Sequence, residues 1–241
     1  MFIVVFCVAE SEEYGVWTKP PKDKKADKKL RDIGYGAAAT VGVEEGSYSV
    51  VNIMAGWFGA MALGAYTIML NVSGNVFVLA SGVGAASSVL MGIAKGKKSV
   101  LEMKIVGYTG LAFNLVLMLL CAALFWCCPR FVTSAYTTDP ELIEMTIPLI
   151  TACAWLALFD GTQQVMVNVL RGAMDIMIPT VCQAAAFIVI MLPLIGIMAF
   201  QLNQGVLGMT WAMVVACAFS TVFLIGRFVA ICRRYDEDGF F

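Results

Sequence analysis

The sequence contains no histidine. That absence removes imidazole acid–base catalysis, imidazole metal ligands and the usual neutral-pH switch. Charge is scarce as well: 14% of the 241 residues are Asp, Glu, Lys or Arg, against about 25% in soluble domains. From Gly46 to Ala94 there are 49 residues with none of the four. No CxxC pair, phosphate loop or metal-ligand cluster occurs, so hydrolytic enzymology has nothing to work with. No broad basic footprint is present, which excludes a nucleic-acid binder.

What is present is apolar. Hydrophobic residues make up 60% of the chain and the mean hydropathy is +0.84. Such a chain cannot cover a soluble globule with polar surface, so a bilayer must serve as solvent for much of it. The eight cysteines (Cys7, Cys121, Cys127, Cys128, Cys153, Cys182, Cys217 and Cys232) lie mostly in apolar runs and read as small packing residues. The adjacent pair Cys127 and Cys128 has poor geometry for bonding to itself.

A single helix over the uncharged stretch, at about 1.5 Å per residue, would far exceed a hydrocarbon core of about 30 Å. It must break, and Gly56-Trp57-Phe58-Gly59 is the natural turn. Six apolar helices follow, over residues 34–57, 61–92, 105–127, 146–169, 178–200 and 206–230. The fold class is all-α, a polytopic membrane protein. Pro148 and Pro179 are expected to mark helix starts, and Pro193 to kink its helix. The small residues Gly82, Gly84, Ala85, Ala86, Ser88, Gly92 and Gly96 predict close approach of a neighbouring helix.

Of the 16 Lys and Arg residues, all but Arg130 fall in one set of loops and helix ends. This bias places both ends of the six-helix block in the cytoplasm, without naming the membrane. Residues 1–9, MFIVVFCVA, are too short to span and read as the stub of an earlier helix, not as a signal peptide. Residues 10–33 are charged and proline-containing and read as a flexible cytoplasmic linker. The organisation expected is therefore a stub and linker over 1–33, a membrane lobe over 34–230 and a cytoplasmic tail over 231–241.

Three carboxylates fall within the spans: Glu44, Glu45 and Asp160. An ionised Asp near a helix centre costs about 2.5–3.5 kcal/mol on insertion scales, so each needs a reason. At about 100° per residue, Glu44, Tyr48, Asn52, Glu45 and Ser49 share one polar sector of about 140°. Gln163, Gln164 and Asn168 form a stripe with Asp160 on the fourth span. Glu44 and Asp160 both lie about ten residues, or roughly 15 Å, from the cytoplasmic end of their helices. Two stripes at one depth predict a shared, water-accessible cavity whose carboxylates titrate as a coupled set. A carboxylate that exchanges a proton near neutral pH carries protons, and when ionised it attracts Na⁺ or organic cations. The competing reading is structural: a neutral carboxyl hydrogen-bonded to a neighbouring helix.

The segment EEGSYSVVNIMAGWFGAMALGAYTIMLNVSGNVFVLASGVGAASSVLMGIAKG resembles the seventh and eighth helices of the multidrug and toxin extrusion (MATE) transporters. FDGTQQVMVNVLRGAMDIMIP is similar to their tenth helix, where an acid precedes a Leu-Arg-Gly by ten positions; here these are Asp160 and Leu170-Arg171-Gly172. LPLIGIMAF and GVLGMTWA fit the last two spans, so the resemblance covers residues 34–230. It implies an antiporter that exports organic cations or xenobiotics in exchange for H⁺ or Na⁺ by alternating access, with no cofactor beyond the coupling ion. It places Glu44, in preference to Glu45, at the family's seventh-helix acid, and Asn71 at a recurrent position of the eighth. Ser49 stands where eukaryotic members often carry a second glutamate. Family members have two six-helix lobes and this chain supplies one, so a complementary N-terminal lobe is implied as partner, besides substrate and bilayer. A lipid-linked-sugar flippase of the wider fold group and a non-transporting scaffold or accessory subunit are the alternatives.

Overall fold

The computed structural model describes residues 24–238; the apolar stub and linker up to residue 23 lie outside the described residues. The chain divides into two units, residues 1–35 and 36–241. The described part of the first unit is helical.

The helices are α1 (Lys24–Gly56), α2 (Ala60–Gly96), α3 (Val100–Cys127), the short α4 (Pro129–Ser134), α5 (Pro140–Gly172), α6 (Met177–Gln201) and α7 (Gly205–Asp238). No strand occurs among the described residues. Among these residues, five helices, α2, α3, α5, α6 and α7, are long and apolar enough to cross a membrane. The sixth long helix, α1, falls short of that apolarity because Glu44, Glu45, Ser47, Ser49 and Asn52 interrupt its apolar residues.

Local chemistry sets the helix ends further out than hydropathy suggests. Helix α5 starts at Pro140, where the Asp139 carboxylate accepts the Glu141 amide at 3.0 Å and proline occupies the first turn. Pro148 therefore lies inside α5 and does not start it, a correction to the sequence expectation. Ser99 accepts the Glu102 amide at 3.3 Å, and Glu102 pairs with Lys97 at 3.1 Å, so the α2–α3 turn is capped on both sides. The expected break between α1 and α2 is present, with Gly59 at φ +100, a conformation that needs the missing Cβ. The charged segment expected as a flexible linker is helical from Lys24 onward, and α7 runs on to Asp238.

The core is built around α5, which packs against α2, α3 and α7. At Gly172 a Cβ would lie 2.4 Å from the Ser88 carbonyl oxygen, so α2 and α5 meet here with no room for a side chain. Gly84 faces Asn168 in the same seam, whereas Gly82 and Gly96 have open space beside them. Only part of the small-residue run thus serves close packing.

Helix α6 is irregular. Two π-helical stretches, Ala185–Met191 and Gly196–Gln201, flank Leu192–Ile195. Pro193 has no N–H to donate, and the perturbation spreads into widened turns on both sides. Each stretch carries an aromatic contact: Phe187 lies 5.8 Å from Tyr48, and Phe200 lies 5.0 Å from Phe58 and 6.0 Å from Trp57.

The two ends of the bundle differ. At the lysine-rich end Lys95 donates to the Ala173 carbonyl at 2.5 Å and sits 5.6 Å from the Tyr235 ring centre. Arg227 donates to Asp175 at 2.7 Å, and Lys104 pairs with Asp236. At the opposite end Arg130 pairs with Glu144. The described cysteines are free, with Cys127 and Cys128 exposed at the α3–α4 junction.

Candidate functional site

A cavity of about 230 Å³ opens between α1, α2 and α5. Helix α1 supplies Glu44, Glu45 and Tyr48, α2 supplies Leu70, Ser73, Gly74 and Phe77, and α5 supplies Asp160. The α2 residues sit at i, i+3, i+4 and i+7, one helical face. Glu44 is 9% exposed and Asp160 6%, while Glu45 is open to the exterior. Among the described residues, no lysine or arginine lines the space.

Helix α7 fixes Asp160 from behind. The Cys217 thiol donates to Asp160 Oδ1 at 3.8 Å, and one turn later the Thr221 hydroxyl donates to the Phe159 carbonyl at 2.9 Å. The two contacts hold both the carboxylate and the backbone immediately before it. Tyr48 is steadied by its ring contact with Phe187 of α6.

The remaining sequence candidates lie elsewhere. Asn52 is exposed and outside the lining. Asn71 is exposed, one position off the lining face of α2, and donates to the Thr67 carbonyl at 2.8 Å. Gln164 donates to Ser81 at 3.3 Å, and Asn168 donates to the Gln164 carbonyl at 2.9 Å and packs on Gly84. Gln163 is 1% exposed, with its Oε1 unpartnered. The α5 stripe therefore divides: Asp160 faces the cavity, and the amides enter seams between helices. A turn of about 100° per residue suffices to swing them from the cavity to the neighbours.

The arrangement can do a limited set of things. It is an acceptor site: carboxylate oxygens in low-dielectric surroundings bind a proton, a hard cation or a positively charged organic group. Phe77 and Tyr48 add aromatic faces, which attract organic cations. Ser73, Phe77, Cys217 and Thr221 were not marked by the sequence. The regular spacing of 70, 73, 74 and 77 was the available signal, but it merges into the apolar background of α2.

Comparison with known proteins accords with this geometry. The family described as MatE matches residues 37–197. A probable multidrug resistance protein NorM of Caulobacter vibrioides is 33% identical over 227 residues, covering 94% of this chain and 48% of that protein. A second, from Pseudomonas aeruginosa, is 29% identical over 193 residues, covering 77% of this chain and 40% of its own length. The chain thus spans about half the length of the curated relatives it matches. Among solved structures, the eukaryotic MATE transporter AtDTX14 superposes with a TM-score of 0.82 at 15% identity, over 99% of this chain and 55% of that one. An outward-facing MATE family transporter gives 0.76 at 17% identity, over 86% and 45%. At these identities the two structures speak for the fold. The family match extends over most of the chain and includes all three cavity carboxylates, and the chain is accordingly a multi-pass membrane protein belonging to the MATE family of transporters.

Proposed function

We propose that the chain is the ion- and substrate-handling lobe of a secondary antiporter, exporting organic cations or xenobiotics in exchange for H⁺ or Na⁺ by alternating access. The observation that carries this reading is the convergence of Glu44 and Asp160, from helices far apart in sequence, on one cavity with aromatic walls and no basic residue among its described lining. A proton or Na⁺ neutralises the pair in one half of the cycle, and a cationic substrate competes for it in the other. Competition for one charge site is sufficient to couple the two fluxes. A phosphate-bearing lipid would need basic lining residues, which disfavours the flippase alternative.

The partner in this reading is a second six-helix lobe. Glu45, Ser49, Asn52, Thr67, Asn71 and Asn75 are exposed on α1 and α2. Ser49, Thr67, Asn71 and Asn75 bond back to their own helices, and the hydrogen-bonding groups left over on the three asparagines and Glu45 are better met at membrane depth by water or protein than by lipid tails. The lysine-rich end is assigned to the cytoplasm.

The test is proton-gradient-driven efflux of a fluorescent organic cation from vesicles, with the chain supplied alone or with a complementary N-terminal lobe. Efflux that requires the lobe and falls at least tenfold in Glu44→Gln and in Asp160→Asn, at unchanged folded protein level, is the expected result. Native-like efflux in both variants would reduce the carboxylates to structural groups.

A further inference from the structure

We infer that Arg171 is a tethered counter-cation for Glu44, and that it sets the cavity's preference for singly over doubly charged organic cations; the inference rests on the antiport reading above. Arg171 stands in the last turn of α5, eleven residues beyond Asp160. Eleven steps of about 100° end about 20° from a whole number of turns, so the two residues share one face of the helix, about 16 Å apart along it. Asp160 borders the cavity, and Arg171 continues its face toward the lysine-rich end.

The local uses of a cation at this place are already filled. The carbonyls of Val169, Leu170 and Arg171, which a helix leaves open at its end, accept the amides of Ala173, Asp175 and Met174 at 3.0, 3.0 and 2.9 Å. Lys95 takes the Ala173 carbonyl, and Arg227 takes the Asp175 carboxylate. Lysines that serve topology alone lie in the open, as Lys98 does, whereas Arg171 is half-buried. It makes no hydrogen bond or ion pair with any of the described residues. The charge that answers it is Glu44 of α1: guanidinium and carboxylate attract one another across a gap too wide for a hydrogen bond. The same Glu44 is repelled by Asp160.

Glu44 and Asp160 can thus bring two negative charges to one cavity. With Arg171 offsetting the first, one is left for the cargo, which suits a monocation. A guanidinium stays charged at every accessible pH, so this competitor is permanent. It also spares Glu44 an unanswered charge in the interval between coupling ion and substrate.

Ethidium and propidium share a fluorescent ring system and differ in charge, one positive charge against two. Their binding to the whole chain in lipid nanodiscs is measured at about pH 9, where protons compete little for carboxylates. The native chain is expected to bind ethidium at least as tightly as propidium. Loss of one nearby cation strengthens the pull on each unit of cargo charge, so Arg171→Gln should tighten ethidium about threefold and propidium about tenfold. Arg171→Lys should keep the native ratio. In Glu44→Gln the guanidinium has nothing to draw it inward, and adding Arg171→Gln there should leave the ratio alone. Arg171→Met serves as a second neutral variant if the glutamine variant loses its thermal unfolding transition. A native chain that binds propidium tenfold more tightly than ethidium would overturn the inference without any variant. So would a ratio that ignores Arg171→Gln, or one that shifts equally in the Glu44→Gln background, while the cation site itself would stand. Binding of neither dye to the native chain would remove the cation site, and the antiport reading with it.

Discussion

Asp160 owes its position to two neighbours on α7, and the contributions of those neighbours can be separated. Thr221→Val removes the hydrogen bond to the Phe159 carbonyl and is expected to cost about 0.5–1.5 kcal/mol, measured as a lowered thermal midpoint in detergent. Cys217→Ala should leave the midpoint nearly unchanged, because a thiol is a weak donor, and should shift the pH profile of efflux instead. At the opposite extreme of packing, Gly172→Val drives new methyl groups into the Ser88 carbonyl, which lies 2.4 Å from where a Cβ would stand. Overpacking of this kind costs about 1–3 kcal/mol, read in the same unfolding experiment. Glu44, Glu45, Tyr48 and Asp160 were legible in the sequence because a carboxylate in an apolar run is conspicuous and helical phase places its companions. Leu70, Ser73, Gly74 and Phe77 were not, because nothing in an apolar helix distinguishes the face that borders a cavity from the face that borders lipid.

At the level of helices, the spans and the turn at Gly59 follow from hydropathy and from the length a bilayer allows. Their ends do not, since Asp139 and Ser99 begin helices by accepting amide hydrogens, a signal independent of hydropathy. The π character of α6 was legible only as far as Pro193. Two widened turns on either side of this proline each place a phenylalanine against α1 or the turn that follows it. Pro193→Ala restores the missing donor and is expected to let α6 relax toward regular α-helix. Spin labels at residues 177 and 201 should then report a longer separation and a narrower distance distribution; an unchanged distribution would mean that packing against α1 and α7, and not the proline, holds the widened turns.

Across the whole molecule, the contrast between a lysine-rich end and an end carrying Arg130 predicts how the bundle sits in the membrane. Cys127 and Cys128 are exposed at the end poor in lysine and arginine. A membrane-impermeant maleimide added to intact cells should therefore label them from outside, with the labelled peptide identified by mass spectrometry. Labelling only after permeabilisation would invert the orientation. The tethers at the lysine-rich end join the end of α2 to the α5–α6 connection (Lys95 to Ala173), and that connection and the start of α3 to α7 (Arg227 to Asp175 and Lys104 to Asp236). They could not be read from the sequence, because every pair is remote along the chain and lysines near a helix end serve topology equally well.

The polarity of α1 bears on how the protein is made. A translocon admits helices one after another and judges each by its apolarity, and α1 carries two glutamates where an ionised acid costs about 2.5–3.5 kcal/mol. Helix α2, by contrast, is long and apolar, with a basic terminus to set its direction. During synthesis α1 should thus stay at the bilayer surface or within the insertion machinery until α2 emerges and carries it in as a hairpin, turning at Gly59. The glutamates that α1 brings to the cavity would then also fix the order of assembly.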